Sequence, residues 1–371
     1  MSEEMKSTAR KRVLSGMRPT GKLHLGNYMG ALKNWVELQN ATFEDGSPKY
    51  ECYFFIADFH ALTTDYADTS ELRVNIKQVA LDFLSAGLDP KRSTIFLQSE
   101  VQAHFVLNDM LGMVTPLSWL ERVPTYKDQQ EQLKEKDLAT FGFLGYPVLM
   151  SADILLYQPD FVPVGLDQAP HVEITREIAR RFNHLYGSKR TAANTAKSDK
   201  ERLAELEKST DVREILPEPR VLLTPSPKLP GTDGRKMSKS YGNTILLSDP
   251  ESEIRAKLKT MVTDPARVRR TDPGNPDVCP VFDLHKVFSS DEVQTQAAEG
   301  CRTAGIGCIQ CKGWLADAVV KELAPIQERR RHFEQNPDDV DAILDDGAFR
   351  ANGRAAVTMR QVFSAVGLSR R

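Results

Sequence analysis

No apolar run in this chain approaches the length of a membrane-spanning helix, so no membrane partner is expected. Met1 to Arg12 is polar and charged, without the apolar stretch of an export signal, and a cytoplasmic protein is the expectation. There is no GxGxxG turn and no GxxxxGKS or GxxxxGKT loop, so neither dehydrogenase nor P-loop chemistry has support. Charge of one sign is also missing. A net charge of −2 argues against indiscriminate coating of nucleic acid, and DNA is not an expected partner; a local basic face for RNA remains open. Cysteine is scarce, five residues in 371, and a disulfide framework is not expected in so long a chain without an export signal. With 40% hydrophobic and 27% charged residues, the chain has room for two domains and a sizeable core.

What is present is a pair of distant segments. Lys236-Met237-Ser238-Lys239-Ser240 lies between Pro230-Gly231 and Tyr241-Gly242-Asn243. Two lysines on a short loop flanked by glycines can bring ammonium groups onto a polyphosphate and follow charge as it builds on departing pyrophosphate. Far upstream, Arg18-Pro19-Thr20-Gly21-Lys22-Leu23-His24-Leu25-Gly26-Asn27 follows a short apolar strand at Val13-Leu14-Ser15. A helix with Tyr28, Leu32, Trp35 and Val36 at helical spacing starts at Asn27. His24 and Gly26 therefore fall near a helix N-terminus, where free N–H groups favour phosphate, and Gly26 has no side chain to block a flat base.

Further along, the continuous apolar run Cys52–Ala57 predicts a strand buried on both faces, with Cys52 in the core. A helix capped by Ser70 and a strand at Thr94–Leu97 follow. This alternation predicts a doubly wound parallel sheet, Rossmann-like, with ligands beyond the carboxyl ends of its strands. Val101–Lys136 reads as helix broken at Pro116 and Pro124, with Lys127 in its charged part. Tyr146, Met150 and Asp153 then share one helix face. A phenol, a thioether and a carboxylate so placed suit an aromatic ligand bearing an N–H; the alternative is a core face with a buried Asp. The strand Phe161–Val164 leads into Gly165, which allows close backbone approach, and into Asp167 and Gln168, which can bond ribose and amino acid. Residues 188–219 read as a polar surface insertion with a helix near Asp199–Lys208. Beyond Asn243 helices dominate, at Glu251–Thr260, Val281–Phe288, Lys312–Glu334, Val340–Asp346 and a final run to Val366. The expected division is a catalytic domain at 1–225, a mobile loop at 226–250 and a smaller all-α domain at 251–371. Lys257, Lys259, Arg267, Arg269 and Arg270 are candidate contacts to RNA phosphate.

Four of the cysteines share one region, with spacing Cys279-x21-Cys301-x6-Cys308-x2-Cys311. Four thiolates of this kind can hold zinc or an iron–sulfur cluster.

The Pro19–Asn27 and Lys236–Ser240 segments together resemble the paired nucleotide-binding motifs of class I aminoacyl-tRNA synthetases. Tyr146–Leu156 resembles the specificity helix of the bacterial tryptophanyl-tRNA synthetases; tyrosyl enzymes would carry glutamine at Met150. The resemblance implies activation of L-tryptophan with Mg²⁺-bound ATP to the adenylate and pyrophosphate, then transfer to tRNA(Trp), by a homodimer. It implies catalytic roles for His24, Asn27, Lys236, Lys239 and Lys127. ATP would be held by Arg18, Pro19, Thr20, Gly26, Asn27, Gly165, Asp167 and the loop Lys236, Met237, Ser238, Lys239, Ser240. Tryptophan would be held by Gly16, Tyr146, Met150, Asp153, Val162, Val164 and Gln168. Arg18 stands where some relatives carry glutamine. The cysteine spacing resembles a C-x22-C-x6-C-x2-C pattern that binds a [4Fe-4S] cluster in some of these enzymes, one residue longer in its first interval, which favours the cluster over Zn²⁺. The rivals are a tyrosyl enzyme, an RNA-binding relative that has lost aminoacylation, and another adenylyl-transferring enzyme of the superfamily.

Overall fold

The computed structural model describes residues 10–123, 137–187, 198–206, 211–223 and 228–369; Lys127 and much of the 188–219 insertion lie outside them. The first apolar segment forms β1 (Lys11–Met17); after the loop 18–24, α1 (Leu25–Asn27), a π-helical turn (Tyr28–Leu32) and α2 (Lys33–Asn40) run end to end. Next come β2 (Tyr50–Ile56), α3 (Asp58–Asp65), α4 (Leu72–Ala86) and β3 (Ser93–Leu97). Then α5 (Ala103–Gly112), α6 (Leu117–Leu120), α7 (Phe141–Leu144) and α8 (Tyr146–Tyr157) lead to β4 (Phe161–Val164). After α9 (Ala169–Gly187) and α10 (Asp199–Leu206), β5 (Arg220–Leu223) ends the sheet. The remainder is helical: α11 (Glu251–Thr260), α12 (Pro280–Phe288), α13 (Asp291–Arg302), α14 (Cys308–Gln335) and α15 (Pro337–Val366).

All strand pairings are parallel, in the order β3-β2-β1-β4-β5. The chain winds outward from β1 to one edge and then, through β4, to the other. The crevice between the ends of β1 and β4 is therefore the switch point where such sheets bind ligands. Alternate residues feed opposite layers. Val13, Cys52, Phe54 and Ile56 enter one core with Trp35 and Phe83, whereas Leu14, Tyr53 and Phe55 enter the other with Leu155 and Ile178. Trp35 stacks on Phe54 with ring centres 4.9 Å apart.

The C-terminal helices share these cores rather than building one of their own. Leu315 and Leu323 of α14 join the first, and α15 contributes to both. The sequence divides α15 into Val340–Asp346 and a later run, but the structure has one helix of 30 residues. Val340 and Leu344 lie in the first core and Ala351 and Val362 in the second, so α15 wraps the edge strand β3. Gly347 is the crossing point: a Cβ there would stand 1.7 Å from the carbonyl oxygen of Ile95.

Two further expectations change. Ser70 does not cap α4; Glu71 occupies that position without a side-chain bond, and the Ser70 N–H donates to Asp68 Oδ1 at 2.9 Å. Helix α13 and strand β5 were not expected. The first is mostly polar with Ala297 and Ala298 as its buried residues, and the second is a half-exposed edge strand, so neither carries a long apolar signature.

Candidate active site

His24 is the N-cap of α1, one position outside the first helical turn. Its Nδ1 accepts the Asn27 N–H at 3.3 Å, while Asn27 Oδ1 accepts the His24 N–H at 3.1 Å, a reciprocal cap. Burial, with the positive charges of Lys239 and Lys236 beside it, brings the His24 imidazole down to about 4. The ring is therefore neutral at pH 7, and with Nδ1 accepting, its proton sits on Nε2, a donor for phosphate. At Gly26 an added Cβ would lie 2.9 Å from the His24 ring, so the missing side chain makes room first for that imidazole.

The two distant motifs meet. Leu25 N–H donates to Ile245 O at 2.9 Å and Leu247 N–H to Leu23 O at 3.0 Å, fastening the segment after the lysine loop to the first motif. Lys239 Nζ donates to Gly21 O at 2.8 Å and to Thr20 O at 3.1 Å. Burial lowers the Lys239 amine to about 8, against the opposing pull of Asp82. Asp82 itself is fully buried; it accepts the Leu23 N–H at 2.7 Å and the Arg330 guanidinium at 2.5 Å. Lys236, Ser240 and Thr20 are exposed and Pro19 is buried. Met237 is also buried, in the sheet's first core, so its side chain anchors the loop and is not presented to a nucleotide. Asn243, which the sequence reading gave no role, shapes the loop. Its Oδ1 accepts the Ser238 N–H at 2.8 Å, and its Nδ2 donates to Asp233 at 2.7 Å and to Lys236 O at 3.2 Å.

At the switch point lies a cavity of about 230 Å³. Gly16, Tyr146, Met150, Asp153, Val162, Val164 and Gln168, all seven residues expected around the amino acid, line it. Pro147 opens α8, where a missing N–H costs nothing, and the helix then carries Tyr146, Met150 and Asp153 along one side. Arg18 lines the same cavity and is tied to Thr64 Oγ1 at 2.5 Å and Asp65 Oδ2 at 3.2 Å, with its Nε buried and unbonded. Gly165 starts the turn after β4, while the Asp167 side chain, like Lys127, lies outside the described residues.

Asp153 is more constrained than a free ligand acceptor. His104 Nδ1 stands 2.7 Å from Oδ1, His60 Nε2 2.9 Å from Oδ2, and Gln98 Nε2 2.7 and 2.8 Å from the two oxygens. Burial works against its charge, but His104 and His60 outweigh it and hold the carboxyl below its usual range. These partners come from α3, from the turn after β3 and from α5, and no spacing in the sequence connects them. Their one signal is position: polar residues at the carboxyl ends of buried strands.

The four clustered cysteines come into electrostatic reach of one another. Burial, with Cys279, Cys301 and Cys308 adding to it, raises the Cys311 thiol to about 12. Arg267 Nη1 lies 3.7 Å from Cys301 Sγ. Among the described residues, however, no three His, Cys, Asp or Glu side chains stand as a set that could hold a metal ion.

A parallel sheet of this order, with a neutral histidine cap and a lysine loop fastened to the segment that follows β1, defines a Rossmann-like catalytic core of the class I synthetase type. The family "tRNA synthetases class I (W and Y)" matches residues 5–324, and the chain belongs to that family. Tryptophan–tRNA ligase of Ralstonia nicotianae is 47% identical, over 97% of this chain and 99% of its own. That of Thermotoga maritima is 48% identical, over 96% and 99%. A crystal structure of Campylobacter jejuni tryptophanyl-tRNA synthetase complexed with ADP and tryptophan superposes with a TM-score of 0.79 at 34% identity, covering 96% of this chain and all of the other. An Archaeoglobus fulgidus tyrosyl-tRNA synthetase bound to L-tyrosine, at 21% identity and a TM-score of 0.58, shares the fold.

Proposed function

We propose that this chain is a tryptophan–tRNA ligase. The observation that carries this reading is the meeting, in one cavity, of Arg18, beside the first motif, with Tyr146, Met150, Asp153 and Gln168. A carboxylate oxygen of tryptophan attacks the α-phosphorus of ATP, the bond to the β-phosphate breaks, and pyrophosphate leaves. A terminal ribose hydroxyl of tRNA(Trp) then takes the acyl group and AMP departs. Mg²⁺ arrives with ATP and shields its phosphates. No protein nucleophile is needed; positioning and charge carry the reaction. His24, through Nε2–H, and Asn27 hold the phosphates on one side, and Lys236 and Lys239 meet the pyrophosphate on the other. Met150 packs its sulfur on the indole, where a glutamine would suit a phenol, and Asp153 accepts the indole N–H.

Pyrophosphate exchange into ATP across the standard amino acids, without tRNA, tests this directly. Exchange driven by tryptophan alone supports the reading. Exchange with tyrosine moves the enzyme to the sister specificity, and none with any amino acid from folded protein favours an RNA-binding relative.

Three finer parts belong with this proposal. A shallow groove lined by Arg267, Arg269 and Arg270 beside Gly307–Gln310 supplies a basic face for tRNA. Exposed Met113, Leu117 and Phe141 lie on one apolar groove of about 650 Å³, the face on which we place the homodimer contact; sedimentation velocity tests it. The resemblance of the cysteine spacing, with the four thiols in electrostatic reach of one another, is what favours a [4Fe-4S] cluster over Zn²⁺ at Cys279, Cys301, Cys308 and Cys311. Such a cluster would supply a structural cross-link beside the arginine groove. Anaerobically purified protein should be brown, with iron and acid-labile sulfide; colourless protein holding only zinc overturns it.

A further inference from the structure

The contacts of Asp153 divide into two kinds. Oδ2 is held by His60, which lines the cavity; Oδ1 is held by His104, which is fully buried and does not line it. Gln98 bridges both oxygens, so one of its two contacts can yield to an incoming N–H while the carboxylate stays paired. Behind His104 stands Tyr157, also fully buried, its hydroxyl 2.9 Å from His104 Nε2.

Hydrogen-bond pairing along this row favours one arrangement of its protons. An ionised carboxylate only accepts, so His104 Nδ1 carries a hydrogen. A cationic imidazole would donate through Nε2 as well, leaving the buried tyrosine hydrogen without this acceptor. The neutral tautomer satisfies both groups: Tyr157 O–H donates to Nε2, and Nδ1–H donates to Oδ1. Burial and the Asp153 charge push the phenol well above its ordinary value, so the hydroxyl keeps its proton. Rings hold the row laterally, with Tyr157 5.1 Å from Tyr53 and 5.5 Å from Phe96 between centres.

We propose that Tyr157 and His104 are positioning residues for amino-acid selection: from behind the cavity they fix the rotation of the Asp153 carboxylate, so that Oδ2 meets a ring N–H at one angle. This rests on the reading of Asp153 as the indole acceptor. Neither residue touches the ligand. Their effect falls on discrimination between an N–H ring and its isostere, not on nucleotide binding.

The test compares tryptophan with benzothienylalanine, which has sulfur in place of the indole nitrogen, by pyrophosphate exchange at saturating ATP. A carboxylate held for an N–H should make the wild-type protein prefer tryptophan in kcat/KM by about a hundredfold or more. Tyr157→Phe, which removes one oxygen and keeps the ring, should cut that preference about tenfold, leaving the KM for ATP and the kcat/KM for the sulfur analogue within about twofold. His104→Leu should cut it at least as far. Equal losses on both substrates, or an unchanged ratio in folded Tyr157→Phe, would overturn the proposal and leave the row as packing. If His104→Leu fails to fold, Tyr157→Phe still gives the ratio. A wild-type protein that does not discriminate between the two amino acids removes Asp153 as the N–H acceptor, a separate failure that takes the proposal with it.

Discussion

Lys239 Nζ stands 2.8 Å from the carbonyl oxygen of Gly21, although 218 residues separate them. A backbone carbonyl is a weak stand-in for a phosphate oxygen, so on the function proposed above these are bonds that ATP would replace.

Lys239→Ala should therefore slow adenylate formation about a hundredfold while leaving tryptophan affinity within about twofold. Single-turnover exchange and equilibrium binding separate the two, and a pure affinity defect would remove Lys239 from the transition state. With its amine at about 8, Lys239 is charged below that pH and loses its charge above it. Activity at subsaturating ATP should accordingly fall on the alkaline side with an apparent pKa near 8. Lys239→Arg, permanently charged, should flatten that limb.

His24 gives the opposite limb, read in stability. The unfolded side chain binds its proton near 6.5 and the folded one near 4, so between these values the unfolded chain holds more protons. The stabilisation is complete above pH 6.5 and is lost as pH falls toward 4. His24→Gln should show a smaller drop in Tm than the wild type between pH 7 and pH 5, by scanning calorimetry. Equal drops would mean that the imidazole titrates normally.

Asn243→Ala strips three hydrogen bonds from the lysine loop. The expected cost is about 1–3 kcal/mol in global stability, because the Ser238 N–H and neighbouring groups lose their partner. Activation should slow with the KM for tryptophan unchanged. Retained kcat would show that the loop keeps its shape without the amide.

Gly347→Ala should be among the most damaging substitutions remote from the site. Its methyl would overlap the Ile95 carbonyl, forcing α15 off β3. A loss of several kcal/mol, seen as a lower denaturant midpoint, is expected. Unchanged stability would mean that α15 shifts freely along the strand.

The sequence disclosed most where one short segment carries its own chemistry. The cavity wall was legible because Tyr146, Met150 and Asp153 repeat at helical spacing, and β2 because burial on both faces leaves an unbroken apolar run. His60, Gln98, His104 and Tyr157 were illegible for the complementary reason. Each sits in an ordinary apolar context, and only the sheet brings them to one carboxylate. That the Met237 side chain joins the core could not be read, because a motif names residues without saying which of them face inward. The course of α15 was hidden by Gly347, which reads as a helix breaker until a strand edge is found pressed against it.

The Asp82 carboxylate, gripped at once by the backbone of Leu23 and the guanidinium of Arg330, has a mechanical meaning. It joins the first motif to α14 as a tie rod joins two levers. The helix begins at Cys308, beside the arginine groove, and carries Arg330 in its last third. One buried carboxylate thus stands between α14 and the residue next to His24, so Arg330 cannot shift without Leu23 or Asp82 losing a partner.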